Sequence, residues 1–136
     1  MFYLSRPTIA LIKSRILSIE SSDNPEFFRF LIYFNYMYIA MNRFKIILGK
    51  EVDFEEIWKS RETHLEKVPG FKKFNLIKGK TTEEYTLYAS HSIWNSEEDF
   101  INWTKSEEFR LAHKNAGNNK HLYLGHSEFE GFKKIL

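Results

Sequence analysis

The chain has 136 residues, of which 43% are hydrophobic and 17% aromatic, enough for one compact domain with a modest core. Lys and Arg total 20 and Asp and Glu total 18, so the formal charge of +2 gives no general electrostatic case for binding nucleic acid or an anionic membrane. The absence of cysteine excludes disulfides, thiolate metal sites and cysteine nucleophiles.

Residues 1–36 differ in character from the rest of the chain. They are rich in Phe and Tyr without a steady period, and the short helix that residues 7–20 suggest has poor capping signals. No run reaches the roughly 20 apolar residues of a membrane span, and the apolar run Ile9–Ile12 is too short for a signal peptide. We therefore expect a soluble, cytoplasmic protein whose single folded domain covers residues 37–136.

A first strand is predicted over residues 37–46, because side chains of two kinds alternate along it. One side carries Tyr38, Ala40, Asn42, Phe44 and Ile46. Gly49 then ends the strand.

A helix is predicted next, beginning at Asp53. Asp53 and Glu56 have the spacing of a capping box, and a stripe of large residues that includes Arg61 continues to Leu65. Pro69 and Gly70 stop the helix.

A hairpin follows, made of a strand over residues 71–78, a polar turn over 79–84 and a strand over 85–94. Two helical blocks come after it, with Ser96 and Ser106 as their N-caps. The second block ends after His113, and His121–Leu136 is predicted to be extended.

The resulting order, β-α-β-β-α-β, predicts an α+β, ferredoxin-like fold. Its four-stranded sheet has helices on one face only, so the other face remains apolar and needs a cover. A second copy of the chain is the simplest cover, and we therefore predict a homodimer.

The common catalytic motifs are absent from the sequence. It has no HExxH, Gly-x-Ser-x-Gly, phosphate loop or GxGxxG, and no pair of its five histidines has the i, i+4 spacing of a helical metal site. The paired carboxylates lie at helix starts and turns, where we expect solvated side chains.

Three residues remain as candidates for chemistry. His113 lies near a helix end beside Lys114, where a neutral imidazole is able to ligate iron, although a lone helical histidine is more often an ordinary one. Asn42 is either a satisfied core amide or a functional hydrogen-bond donor. Trp103, taken alone, is best explained as core packing.

Together these residues resemble a known family. Met41-Asn42-Arg43, followed by the pattern from Trp94 through Trp103 to His113, is similar to the IsdG-type haem-degrading monooxygenases, a branch of the antibiotic biosynthesis monooxygenase (ABM) superfamily of dimeric α+β barrels. The resemblance covers residues 37–125. It implies that Asn42, Trp103 and His113 are the functional trio.

The resemblance also implies roles and partners. Haem is then both cofactor and substrate, with His113 as the proximal iron ligand, Asn42 donating to oxygen bound at the iron, and Trp103 distorting the macrocycle. Dioxygen and electrons from an external reductase complete the reaction, which releases iron and a bilin-type product. His64 and His91 lie outside the trio and are expected in solvent or the core.

Two segments depart from the family. Residues 1–36 have no counterpart, so we interpret them as a poorly ordered extension or a mis-assigned start. The stretch His121–His126 differs from the best-known members, and contacts to the haem propionates cannot be transferred to it.

Two other functions stay open at this point. One is a cofactor-free monooxygenase that acts on a quinol-forming or other small aromatic substrate. The other is a non-catalytic haem-binding or stress-response module on the same barrel.

Overall fold

The computed structural model describes Pro25 and residues 37–136. The chain divides into two units, Met1–Ile32 and Tyr33–Leu136, and the elements given below all lie in the second. The predictions for residues 1–36, which concern an extension with a short helix over 7–20, fall outside the described residues.

Four antiparallel strands form one sheet in the order β2-β3-β1-β4. They are β1 (Tyr38–Ile47), β2 (Phe71–Thr81), β3 (Tyr85–Trp94) and β4 (Glu128–Lys133). β1 pairs with β3 along its whole length, from Tyr38 opposite Trp94 to Ile47 opposite Tyr85. This strand order is that of the ferredoxin-like fold, so the predicted fold class is confirmed.

Three α-helices lie between the strands: α1 (Glu51–Lys59), α2 (Glu97–Thr104) and α3 (Glu107–His113). Both predicted serine caps are confirmed, because Ser96 Oγ accepts the N–H of Asp99 at 3.0 Å and Ser106 Oγ accepts the N–H of Phe109 at 3.2 Å. Short 3-10 segments at Leu65–Lys67 and Ala116–Leu122 complete the connections.

The predicted bounds of α1 are wrong at both ends. The helix begins at Glu51, two residues before the proposed cap Asp53, because Gly49 turns the chain with φ +85° and donates its N–H to Glu51 Oε2 at 2.8 Å. It ends at Lys59, and left-handed His64 (φ 51°) then redirects the chain into the separate 3-10 turn.

The C-terminal segment is only partly extended. His121 and Leu122 finish a 3-10 segment, Tyr123 then makes a single bridge to Ile46, and only Glu128–Lys133 forms a strand. Leu122 is fully buried, which explains why this part of the chain folds back instead of continuing as a strand.

The core lies on the helical face of the sheet and is divided into two clusters. One contains Phe44, Ile46, Phe54, Tyr88 and Leu122, and the other contains Tyr38, Ala40, Leu65 and Trp94. A half-buried polar pair, Asn42 opposite Ser90, lies between the two clusters. The alternation predicted for β1 is therefore confirmed, and Asn42 interrupts its buried row.

None of the helices among the described residues lies on the opposite, outer face of the sheet. Its side chains include Ile39, Met41 and Ile93, which are half-buried, and Ile77 and Phe132, which are exposed. In the described part of the chain, no helix is both long and apolar enough to cross a membrane.

Candidate functional site

A cavity of about 430 Å³ opens between the two core clusters. Asn42 of β1, Trp103 of α2 and His113 of α3 all line it. The rest of the wall is mostly aromatic and small, from Trp58, Phe74, Phe100, Phe109, Phe129, Ala40 and Ala112. The three residues singled out from the sequence therefore meet at one site, which has the size and apolar character of a small-molecule pocket.

His113 is the last residue of α3, and its ring is fixed in one orientation. Its Nδ1 donates to the backbone carbonyl of Phe109 at 2.8 Å, because a carbonyl can only accept. The ring also stacks on Phe109, with centroids 3.9 Å apart. The neutral imidazole then carries its proton on Nδ1, and Nε2 keeps a free lone pair of the kind that ligates metals.

The charge state of His113 favours the same chemistry. Removal of the ring from water lowers its pKa, the hydrogen bond to Phe109 opposes this, and the nearby cation of Arg61 lowers the pKa further. The net shift is downward, so the imidazole is neutral at pH 7.

Two polar atoms of residues that line this cavity are buried and have no hydrogen-bond partner. They are Oδ1 of Asn42 and Nε1 of Trp103, the only such side-chain atoms among the described residues. Buried polar groups in folded proteins are almost always satisfied, so an orphaned atom in a cavity wall points to a missing ligand. The indole is rigidly held, with ring centroids 5.2 Å from Trp94 and 4.8 Å from Phe109.

Arg61 contributes to the site, and the sequence did not reveal this. Its Nε and Nη2 donate to the carbonyl oxygen of Ala112 at 3.0 and 2.8 Å, and the guanidinium lies over Trp58 at 4.6 Å. Ala112 precedes His113, so this contact anchors the end of α3. The sequence places Arg61 on the apolar stripe of the predicted first helix. Because α1 ends at Lys59, that stripe does not predict what Arg61 contacts.

A second cavity of about 480 Å³ adjoins the first. Asn42, Trp58, Arg61, Ser90 and His113 line both of them. The remaining wall of the second cavity comes largely from the segment after α3, including Lys120, Tyr123, His126 and Ser127.

The other histidines are separate from the predicted trio. His64 is exposed beside Glu62, and His91 lies on the outer face of β3. His126, by contrast, lines the second cavity. No group of three or more His, Asp or Glu side chains suited to a metal occurs within the described residues.

Sequence comparison identifies the family. Residues 37–115 match the family described as antibiotic biosynthesis monooxygenase. The chain belongs to this family. The resemblance drawn from the motif around Asn42, Trp103 and His113 is thus confirmed at the level of the ABM superfamily.

Individual ABM relatives include haem-degrading enzymes. The heme-degrading monooxygenase of Bacillus thuringiensis (strain Al Hakam) is 36% identical over 53 residues, 39% of this chain and 50% of that protein. The chain thus spans about half the length of the curated relatives it matches.

Two solved structures share the fold. The haem degrader MhuD of Mycobacterium tuberculosis, with two haems in its active site, has a TM-score of 0.55 and 21% identity, covering 73% of this chain and 96% of its own. SnoaB, a cofactor-independent oxygenase of Streptomyces nogalater, has a TM-score of 0.53 and 19% identity, covering 73% and 93%. At these identities the ABM fold is shared, and the substrate has to be argued from the site.

Proposed function

We propose that this protein is a haem-degrading monooxygenase that opens the porphyrin with dioxygen and releases iron and a bilin-type product. The observation that carries the proposal is one cavity with an imidazole nitrogen free to bind iron and two unpaired polar atoms beside it. Haem, as substrate, would supply the iron at which dioxygen is activated. An external reductase would supply the electrons.

His113 is the proposed iron ligand. Its Nδ1 is committed to the Phe109 carbonyl, which fixes the tautomer and directs Nε2 as the available donor atom. Because its pKa is lowered by burial, the imidazole needs no deprotonation to bind a metal at neutral pH.

Asn42 and Trp103 are the proposed contacts to the reacting part of the ligand. The amide of Asn42 forms no hydrogen bond with a described residue, so it is free to orient a small oxygen-containing group. The indole of Trp103, held by Trp94 and Phe109, presents a rigid wall for a flat macrocycle.

A haem titration followed by a reductant tests this function. Ferric haem is expected to bind at about one per subunit and to show a Soret band that is lost in His113→Ala. Ascorbate under air should then bleach the bound haem in the wild type, not in Asn42→Ala, and slowly in Trp103→Phe. The control is His121→Ala, because this exposed histidine lines neither cavity. A wild-type protein that leaves the haem spectrum unchanged would end the proposal.

A cofactor-free oxygenase is the second candidate, since the cavity is mainly aromatic and would also accept a small aromatic substrate. Oxygen uptake with a quinol-forming substrate in the absence of metal would favour it. Tight haem binding without turnover would instead favour the non-catalytic module.

We further propose that a second copy of the chain covers the outer face. Two cations of that face are already ion-paired within the chain, Arg43 with Glu130 and Lys45 with Glu128, which lowers the cost of burying them against a second copy. Light scattering at micromolar concentration should give the mass of a dimer, and a monomer would contradict this. The cytoplasmic location stays a prediction.

A further inference from the structure

The second cavity is positively charged and contains no acid. Its two cations are Arg61 and Lys120, and neither cavity is lined by a single Asp or Glu although the chain has 18 of them. A concave wall with charges of one sign concentrates ligands of the opposite sign.

The cations of this cavity also lack partners within the described residues. Six other basic side chains form ion pairs with carboxylates, namely Arg43, Lys45, Lys59, Lys78, Arg110 and Lys133, whereas Arg61 and Lys120 form none. Arg61 uses Nε and Nη2 on the Ala112 carbonyl, and its Nη1 donates to no described residue. Both residues therefore keep donors for an anion.

The two cavities adjoin and differ in polarity. They share Asn42, Arg61 and His113 in their walls, so a ligand in the aromatic cavity lies next to the basic one. Such a site fits a flat, aromatic ligand that carries negative charge along one side.

We propose that the second cavity is an anion subsite that binds the carboxylate groups of the ligand whose aromatic body occupies the first cavity. Lys120 and the free donors of Arg61 are the main contacts, and His126 lies in the same wall. The site thereby selects carboxylate-bearing aromatics over neutral ones. This inference rests on the proposed function, because it assigns the charge class of the substrate at the same site.

Two metal-free porphyrins measure the contribution of the carboxylates to binding without any contribution from iron ligation. Protoporphyrin carries two carboxylates, and its dimethyl ester has the same ring without them. Trp58 and Trp103 line the site, so binding of each porphyrin, delivered from dimethyl sulfoxide, can be followed by quenching of tryptophan emission.

The wild type is expected to bind the free acid more tightly than the ester. Lys120→Ala should weaken binding of the acid about three- to fivefold, the upper range for one partly exposed ion pair, and Lys120→Glu should weaken it further. Both variants should leave ester binding unchanged, and the loss should shrink at high salt. Lys120 is exposed and its side chain makes no described contact, so neither substitution should affect folding.

Lys80→Ala is the matched control, because it removes the same charge from an exposed lysine that lines neither cavity. Its acid-to-ester preference should equal that of the wild type. The subsite would be overturned if the wild type bound acid and ester equally, or if Lys80→Ala and Lys120→Ala lost the same amount of affinity for the acid. Neither result would contradict haem binding. Failure of both porphyrins and of ferric haem to bind would overturn the subsite and the proposed function together.

Discussion

Replacement of Arg61 by methionine tests whether this side chain holds the end of α3 in place. Methionine keeps an unbranched, apolar stem against Trp58 but removes both hydrogen bonds to the Ala112 carbonyl. That carbonyl lies at the helix end, where no further turn supplies a donor. Arg61→Met should therefore loosen the segment that presents His113.

The expected loss follows from the contacts. A hydrogen bond from a charged donor contributes about 1.5–3 kcal/mol, and we take about 2 kcal/mol because both donors share one acceptor. Loss of the cation over the Trp58 ring adds about 0.5–1 kcal/mol. The free energy of unfolding should fall by about 2.5–3 kcal/mol.

Urea unfolding followed by tryptophan emission measures this change. With a slope of about 1–3 kcal/mol/M, the midpoint should fall by about 1–3 M. Arg110→Met is the control on the same helix, because the pair of Arg110 with Glu107 is exposed to solvent, and its midpoint should match the wild type.

A second measurement separates the local effect from a general loss of stability. The cation of Arg61 lowers the pKa of His113, in addition to the larger effect of burial, so Arg61→Met should raise that pKa in an NMR titration. A midpoint within about 0.3 M of the wild type, together with an unchanged His113 pKa, would refute the role assigned to Arg61.

Three other substitutions have defined outcomes. Burial lowers the pKa of His113 from 6.5, so the histidine is protonated first in the unfolded chain as the pH falls. The free energy of unfolding should therefore decline below about pH 6.5, and it should decline less steeply in His113→Gln. Urea midpoints measured across this pH range test both expectations. Ser106→Ala removes the N-cap of α3 and should cost about 1 kcal/mol in the same assay, whereas Ser106→Asp should retain most of it. In Gly131→Ala the new Cβ would clash with Oη of buried Tyr38, so we expect a loss of about 1–3 kcal/mol in thermal unfolding. An unchanged Tm would contradict this close packing.

Local rules explain which parts of the fold were predictable. The alternation in β1 follows from the twofold period of a strand, and the caps at Ser96 and Ser106 follow from a side chain that binds an N–H three residues away. The bounds of α1 were missed because its start depends on a turn at Gly49 and its carboxylate Glu51 also binds Thr86, a residue of β3. That contact is not visible along the sequence.

Periodicity and capping were enough to predict the order of the elements, and the resemblance to a known family singled out Asn42, Trp103 and His113. Three features depend on packing between distant segments: the three side chains line one cavity, Arg61 reaches the Ala112 carbonyl 51 residues away, and Arg61 and Lys120 line the adjoining cavity without an acid beside them. The physical reason is that a cavity is produced by packing between distant segments, and neither its depth nor its electrostatic sign is encoded in any local stretch of the chain.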